Sequence, residues 1–292
     1  MSRPVAALAV LALVLGGACS TKKPIIPPEK LWGEGTQAFE DEAYQVAIER
    51  YKALLDQHPF DPHAEEAELR IAQSYYMAHR YPEAIAAFGD FERMHPTSPN
   101  LPEVEYNLGL AYMAQMRTAD RDQQPSTNAH TYFKNVIDRW PQSPWAEKAR
   151  LRLKECRESL AAHEAEIAQY YLRHKNLRAG ESRLRYLLSE YPETDATAEA
   201  LYAFAKLYAS RKENEEATLA LATLVRYHPD NPLAADARRR LGPDDSVYLD
   251  GHDPLPVLMT RIDEMQQQAD RQKLPTTVSA YPDTGNLTGQ RY

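Results

Sequence analysis

Apolar and polar positions along this chain fall into a helical rhythm that repeats as pairs of helices. In five places a small residue is followed four positions later by a large apolar one: Ala47 and Tyr51, Ala84 and Phe88, Ala129 and Phe133, Gly180 and Leu184, Ala217 and Leu221. Residues four apart share one face of a helix, so the small residue lets a neighbouring helix approach and the large one fills the adjacent groove. Upstream of four of these pairs a small residue precedes an aromatic by three positions: Ala72 and Tyr75, Gly109 and Tyr112, Ala168 and Tyr171, Ala205 and Tyr208. In the first unit Gly35 and Ala38 hold those places. Downstream of each pair comes a stop: His58-Pro59, His95-Pro96, Trp140-Pro141, Tyr191-Pro192 and His228-Pro229. Proline cannot continue a helix and pushes the residue before it out of helical geometry.

Successive stops are 37, 45, 51 and 37 residues apart. Tetratricopeptide units recur at about 34 residues, each a helix–turn–helix. The predicted fold is therefore all-α, a tetratricopeptide α-solenoid of about five units. Two long spacings have local causes. Thr118 to Asn128 is polar and holds Pro125, and reads as a loop inserted between the two helices of unit three. No breaker lies between Pro144 and Asn176, which predicts one long helix linking units three and four. Residues 31–143 thus hold units one to three, and 144–241 hold the long helix with units four and five. Prolines 24, 27 and 28 make 19–30 an extended tether. The segment 242–292, with Pro243, Pro254, Pro256, Pro275 and Pro282, reads as a largely disordered tail. Within it Val257, Leu258, Ile262 and Met265 allow a short amphipathic helix over Pro256–Gln272, either docked on the array or on a partner, or transient.

The N-terminus carries its own pattern. Arg3 is followed by an apolar run from Val5 to Leu15, too short to span a bilayer, which takes about 20 apolar residues. A charged start, an apolar middle and small residues before a cut make residues 1–18 a signal peptide. Cys19 directly follows Gly16-Gly17-Ala18, the arrangement in which a bacterial lipoprotein thiol is diacylated and the preceding bond is cut. Leu15 sits one step further back than such a site normally places it. An exported protein cut nearby, with Cys19 incidental, is the competing reading. A lipidated Cys19 leaves Cys156 without a disulfide partner, and its helical surroundings make it a small core residue.

The net charge of -8 argues against nucleic acid as the main partner, because phosphate binding needs a basic face. The sequence contains no HExxH, GxSxG or phosphate-cradling glycine loop, and the nine histidines lack metal spacing. No enzyme, metal or cofactor is therefore predicted. What the repeat offers is binding surface. Tyr75 is a core position, while Tyr44, Tyr76, Tyr106 and Tyr202 fall beside core positions, where each either reaches a groove or covers a neighbour.

Several stretches carry a family resemblance over residues 19–241. They are Ala119-Asp120-Arg121-Asp122, the run from Phe133 to Arg139-Trp140-Pro141-Gln142-Ser143, Ala168-Gln169-Tyr170-Tyr171-Leu172, and Ala179, Arg183 and Leu187 before Glu190-Tyr191-Pro192-Glu193-Thr194. Together with Cys19 and the five units they make the chain resemble the BamD (ComL) family, lipoproteins of the machinery that inserts β-barrels into the outer membrane. The resemblance implies a non-enzymatic scaffold on the periplasmic face of that membrane, held by its N-terminal lipid. It implies docking on the periplasmic domain of the BamA barrel subunit, with the other Bam lipoproteins as further partners. Arg183, nine positions before Pro192, stands where the family pairs an arginine with an acidic group of BamA; read alone it is a solvated helix charge. The resemblance also implies that the N-terminal units receive the apolar, aromatic C-terminal segment of unfolded barrels, with Tyr44, Tyr75, Tyr76 and Tyr106 as candidates. A lipidated adaptor for cell-wall or polysaccharide assembly is the alternative.

Overall fold

The computed structural model describes residues 24–242 and 251–273. Cys19, the signal segment and residues 274–292 lie outside them. The described residues are helical and divide into two compact units, with the boundary between Pro96 and Thr97.

The first unit holds α1 (Pro28–Glu40), α2 (Tyr44–Gln57), α3 (Ala64–Met77) and α4 (Tyr81–Met94), each packed on the next. The tether is shorter than the prolines suggest, because Pro28 opens α1. A proline in the first turn gives up an N–H that has no intrahelical partner anyway. Gly35 shows why this helix carries a small residue there: a Cβ on it would stand 2.7 Å from the Tyr51 ring. Tyr51, Phe88 and Phe91 are fully buried.

The second unit holds α5 (Leu101–Met113), α6 (Gln124–Arg139), the 30-residue α7 (Pro144–Arg173), α8 (Leu177–Glu190), α9 (Asp195–Ser210), α10 (Asn214–Tyr227), α11 (Pro232–Arg240) and α12 (Pro254–Lys273). The insertion is shorter than its polarity suggests. Pro125 lies in the first turn of α6, so helix begins at Gln124 instead of after Asn128. Gly109 lets α5 meet α6, since a Cβ there would stand 2.6 Å from the Phe133 ring. The sequence groups unit three with the two before it; by compactness its helices α5 and α6 belong with α7, on which both pack.

The punctuation is the same in both units. Each of the five residues before the stop prolines leaves the helix at φ near -130° while its N–H still reaches the carbonyl four back, as His58 does to Leu54 and His228 to Leu224. Four helix pairs are joined by three-residue turns whose middle residue is left-handed: Glu42, His79, Lys175 and Lys212, with φ of 58–65°. In each, the next N–H closes back on a carbonyl in the last turn of the preceding helix: Ala38, Tyr75, Tyr171 and Tyr208. Helix α12 spans two residues more at its start than the amphipathic pattern suggests. It packs on α10 and α8, with Leu258 and Ile262 fully buried and Arg185 and Arg178 of α8 paired to Asp263 and Asp270.

Candidate functional site

The first unit carries a groove of about 410 Å³. Its floor is Leu55 of α2, Ile71 and Tyr75 of α3, and Ala86, Ala87 and Met94 of α4. The groove exists because α4 presents two alanines where a larger side chain would close the gap. Tyr75 is only 9% exposed, yet its ring forms a wall. Lys52 Nζ donates to its hydroxyl at 2.8 Å, and the Arg80 guanidinium lies 4.8 Å from the ring centroid. Arg80 is itself fixed by Glu83, at 2.8 and 3.0 Å. Glu68, Glu83 and Asp90 give the rim a negative bias, and Glu68 is held by His95 Nε2 at 2.6 Å. Met94, 53% exposed, supplies an adaptable apolar edge. An apolar floor with a few polar groups at its rim is the usual lining of a binding groove.

The other tyrosine candidates are not on this floor. Tyr44 is half-buried edge-on to Phe39, with centroids 5.6 Å apart. Tyr76 is half-buried against Tyr81 at 5.7 Å. Tyr106 lies in the second unit and is 7% exposed, wedged between Phe133 and Trp145 at 5.7 and 5.3 Å. Tyr202 is half-buried and donates to Asp236. Tyr112 and Tyr171, assigned to the core by spacing, are half-buried; Tyr112 stacks flat on Tyr132 at 5.6 Å, because Phe133 already fills the slot that Gly109 opens.

The second unit displays a polar and aromatic surface around Arg183. Its Nη1 donates to Glu164 of α7 at 2.8 Å; Arg183 is 40% exposed and Glu164 16%. A guanidinium has five donors in a planar fork, so the pair orients Arg183 while its outer edge still faces solvent. Beside it Tyr186 is 44% exposed and meets Tyr191 edge-on. Burial pushes the Tyr191 hydroxyl up to about 12, with Tyr186 adding to the effect. Arg157 stacks on Tyr191, forks onto Glu193 and reaches the Glu190 carbonyl. Sequence reading missed Glu164, Tyr186 and Arg157. Glu164 and Arg157 come from α7, 19 and more residues from the groups they hold, which spacing within one helix cannot reveal; Tyr186 lies on α8 three residues after Arg183.

Cys156 is fully buried, and burial raises its thiol to about 12, which keeps it protonated. Among the described residues no cluster of three or more His, Cys, Asp or Glu is placed to hold a metal, and no helix is long and apolar enough to cross a membrane.

The family described as YfiO, outer membrane lipoprotein, matches residues 25–220 and so runs through both units. The outer membrane protein assembly factor BamD of Vibrio cholerae is 32% identical over 205 residues, spanning 66% of this chain and 85% of its own. The BamD proteins of Caulobacter vibrioides and Rickettsia prowazekii are each 28% identical, over 242 and 243 residues, with 81% and 82% of this chain covered and 79% and 96% of theirs.

Proposed function

The chain belongs to the YfiO family of outer membrane lipoproteins, and from that premise we propose that it is a non-enzymatic scaffold of outer-membrane β-barrel assembly. In this reading Cys19 carries the lipid that holds the protein at the periplasmic face of the outer membrane. The first unit takes up the extended, aromatic C-terminal segment of an unfolded barrel in the groove walled by Tyr75 and Met94. The second unit docks on the periplasmic part of a BamA-like barrel subunit through the surface around Arg183.

The observation that carries the reading is the open, apolar-floored groove between α2, α3 and α4, lined by Leu55, Ile71, Tyr75 and Met94. For docking, the support is that Arg183 is exposed and aimed by Glu164, so a partner carboxylate can take the free edge of the fork in two parallel bonds. Pull-down with the periplasmic domains of the barrel subunit tests this half. Wild type is retained, Arg183→Glu is lost, and Arg178→Glu, which stands on the α12 side, is retained. Equal retention of Arg183→Glu and wild type removes the docking claim.

A further inference from the structure

Phe60 is 98% exposed, the most exposed aromatic among the core-sized side chains of the described residues. It stands in the turn between α2 and α3, one residue after the stop proline. The repeat supplies its own control for that position. The corresponding residues in the other four units are Thr97, Gln142, Glu193 and Asp230, all polar and all exposed. Only the first unit places an aromatic ring there, and leaving such a ring in water is unfavourable.

That turn is also where the chain arriving from the N-terminus is fastened. Ile26 N donates to Gln57 Oε1 at 2.8 Å, and His58 Nε2 donates to the Ile26 carbonyl at 2.7 Å. These two bonds bring Ile25, itself 79% exposed, to the same end of the unit as Phe60. Trp32 stacks on His63 at that end, with centroids 4.7 Å apart. The acid next to Phe60 is turned away from the surface. Asp61 accepts from the His63 N–H and ring at 2.8 and 2.9 Å, its side chain is only 12% exposed, and the His63 bonds hold its carboxyl below the usual range.

Cys19 precedes Ile26 by seven residues, a span of at most about 25 Å when fully extended. A lipid on Cys19 therefore confines this end of the first unit to the neighbourhood of the bilayer surface. We infer that Ile25 and Phe60 form an apolar tip that enters the lipid interface beside the anchor, a second contact that holds the first unit against the membrane. Aromatic residues favour that interface, and a lipid chain supplemented by a second element anchors far better than the chain alone. The inference rests on Cys19 being lipidated, as in the function proposed above.

The test uses the full lipidated protein reconstituted into vesicles of phosphatidylethanolamine and phosphatidylglycerol with brominated acyl chains. Phe60→Trp and Thr97→Trp report the same turn position in neighbouring repeats, each read as the difference from wild type, whose three tryptophans give the background. The tip predicts a blue-shifted added emission from Phe60→Trp that loses most of its intensity to the bromines, and an unshifted, unquenched emission from Thr97→Trp. Unquenched emission from Phe60→Trp overturns the inference, as does capture of a protein in place of lipid by a photocrosslinker at position 60 in cells. Flotation separates the two premises. If wild type fails to float with the vesicles, the anchoring reading falls and takes the tip with it. If it floats and Phe60→Trp is unquenched, the tip alone fails.

Discussion

Tyr75 in the first unit and Tyr208 in the second occupy the same place in the repeat and live in opposite surroundings. Tyr75 walls an open groove, with its hydroxyl bonded to Lys52 at the lip. Tyr208 is fully buried beneath Phe204, and its hydroxyl donates to Glu181 at 3.2 Å, itself only 4% exposed. Burial pushes Glu181 up to about 7, and burial with the Glu181 charge pushes the Tyr208 hydroxyl up as well. The repeat pattern fixes where an aromatic ring sits on its helix. The neighbouring helix decides whether that buried ring borders a groove or is sealed: α4 offers Ala86 and Ala87 and leaves a gap, whereas α10 offers Leu221 and Leu224 and α12 covers the unit further.

The largest expected effect tests that contrast directly. Tyr208→Ala should cost about 3–5 kcal/mol, and Tyr75→Ala less than about 2 kcal/mol because the groove side of its ring already lacks neighbours. Urea denaturation followed by circular dichroism reads both; equal losses erase the distinction. The next effect depends on pH. Glu181 has a folded pKa above its unfolded value, so the folded state holds the extra proton and stability from this group falls as pH rises from about 4.5 through about 7. Glu181→Gln keeps an acceptor for Tyr208 and removes that slope. It should be more stable than wild type by up to about 3 kcal/mol at pH 8 and nearly equal to it near pH 4.5. Thermal melts across that range measure the gap, and a constant difference contradicts the burial argument. The smallest effect concerns what the units share. Lys212→Gly and His79→Gly relieve the same left-handed turn and should each gain about 1 kcal/mol or less. A gain in one unit only would mean that the turns differ as the grooves do.

Much of this fold is legible in the sequence because it is written in short-range rules. Small-to-large spacings name the buried faces, and residue-before-proline positions name the stops. Two helix starts differ from the sequence pattern for one reason: prolines 28 and 125 fall in stretches that read as non-helical and instead open helices, since a proline suits a first turn as well as a loop. The site is less legible. Spacing put Tyr75 in the core and Tyr106 beside it; the groove around Tyr75 depends on Ala86 and Ala87 of another helix, and Tyr106 is sealed by Trp145 of α7. Likewise Arg183 stands out by its distance from Pro192, while Glu164, which aims it, has no signal in its own stretch of sequence.

The most direct measurement of the central claim is binding of a peptide from the C-terminal strand of an outer-membrane barrel to groove variants of the intact protein. Ala87→Trp fills the floor from a half-buried, non-core position, and Tyr208→Phe perturbs the matching ring in the second unit. The account predicts that Ala87→Trp weakens binding at least about tenfold, a loss of roughly 1.4 kcal/mol, with an unchanged circular dichroism spectrum, and that Tyr208→Phe binds as wild type does. Wild-type affinity in Ala87→Trp would contradict it.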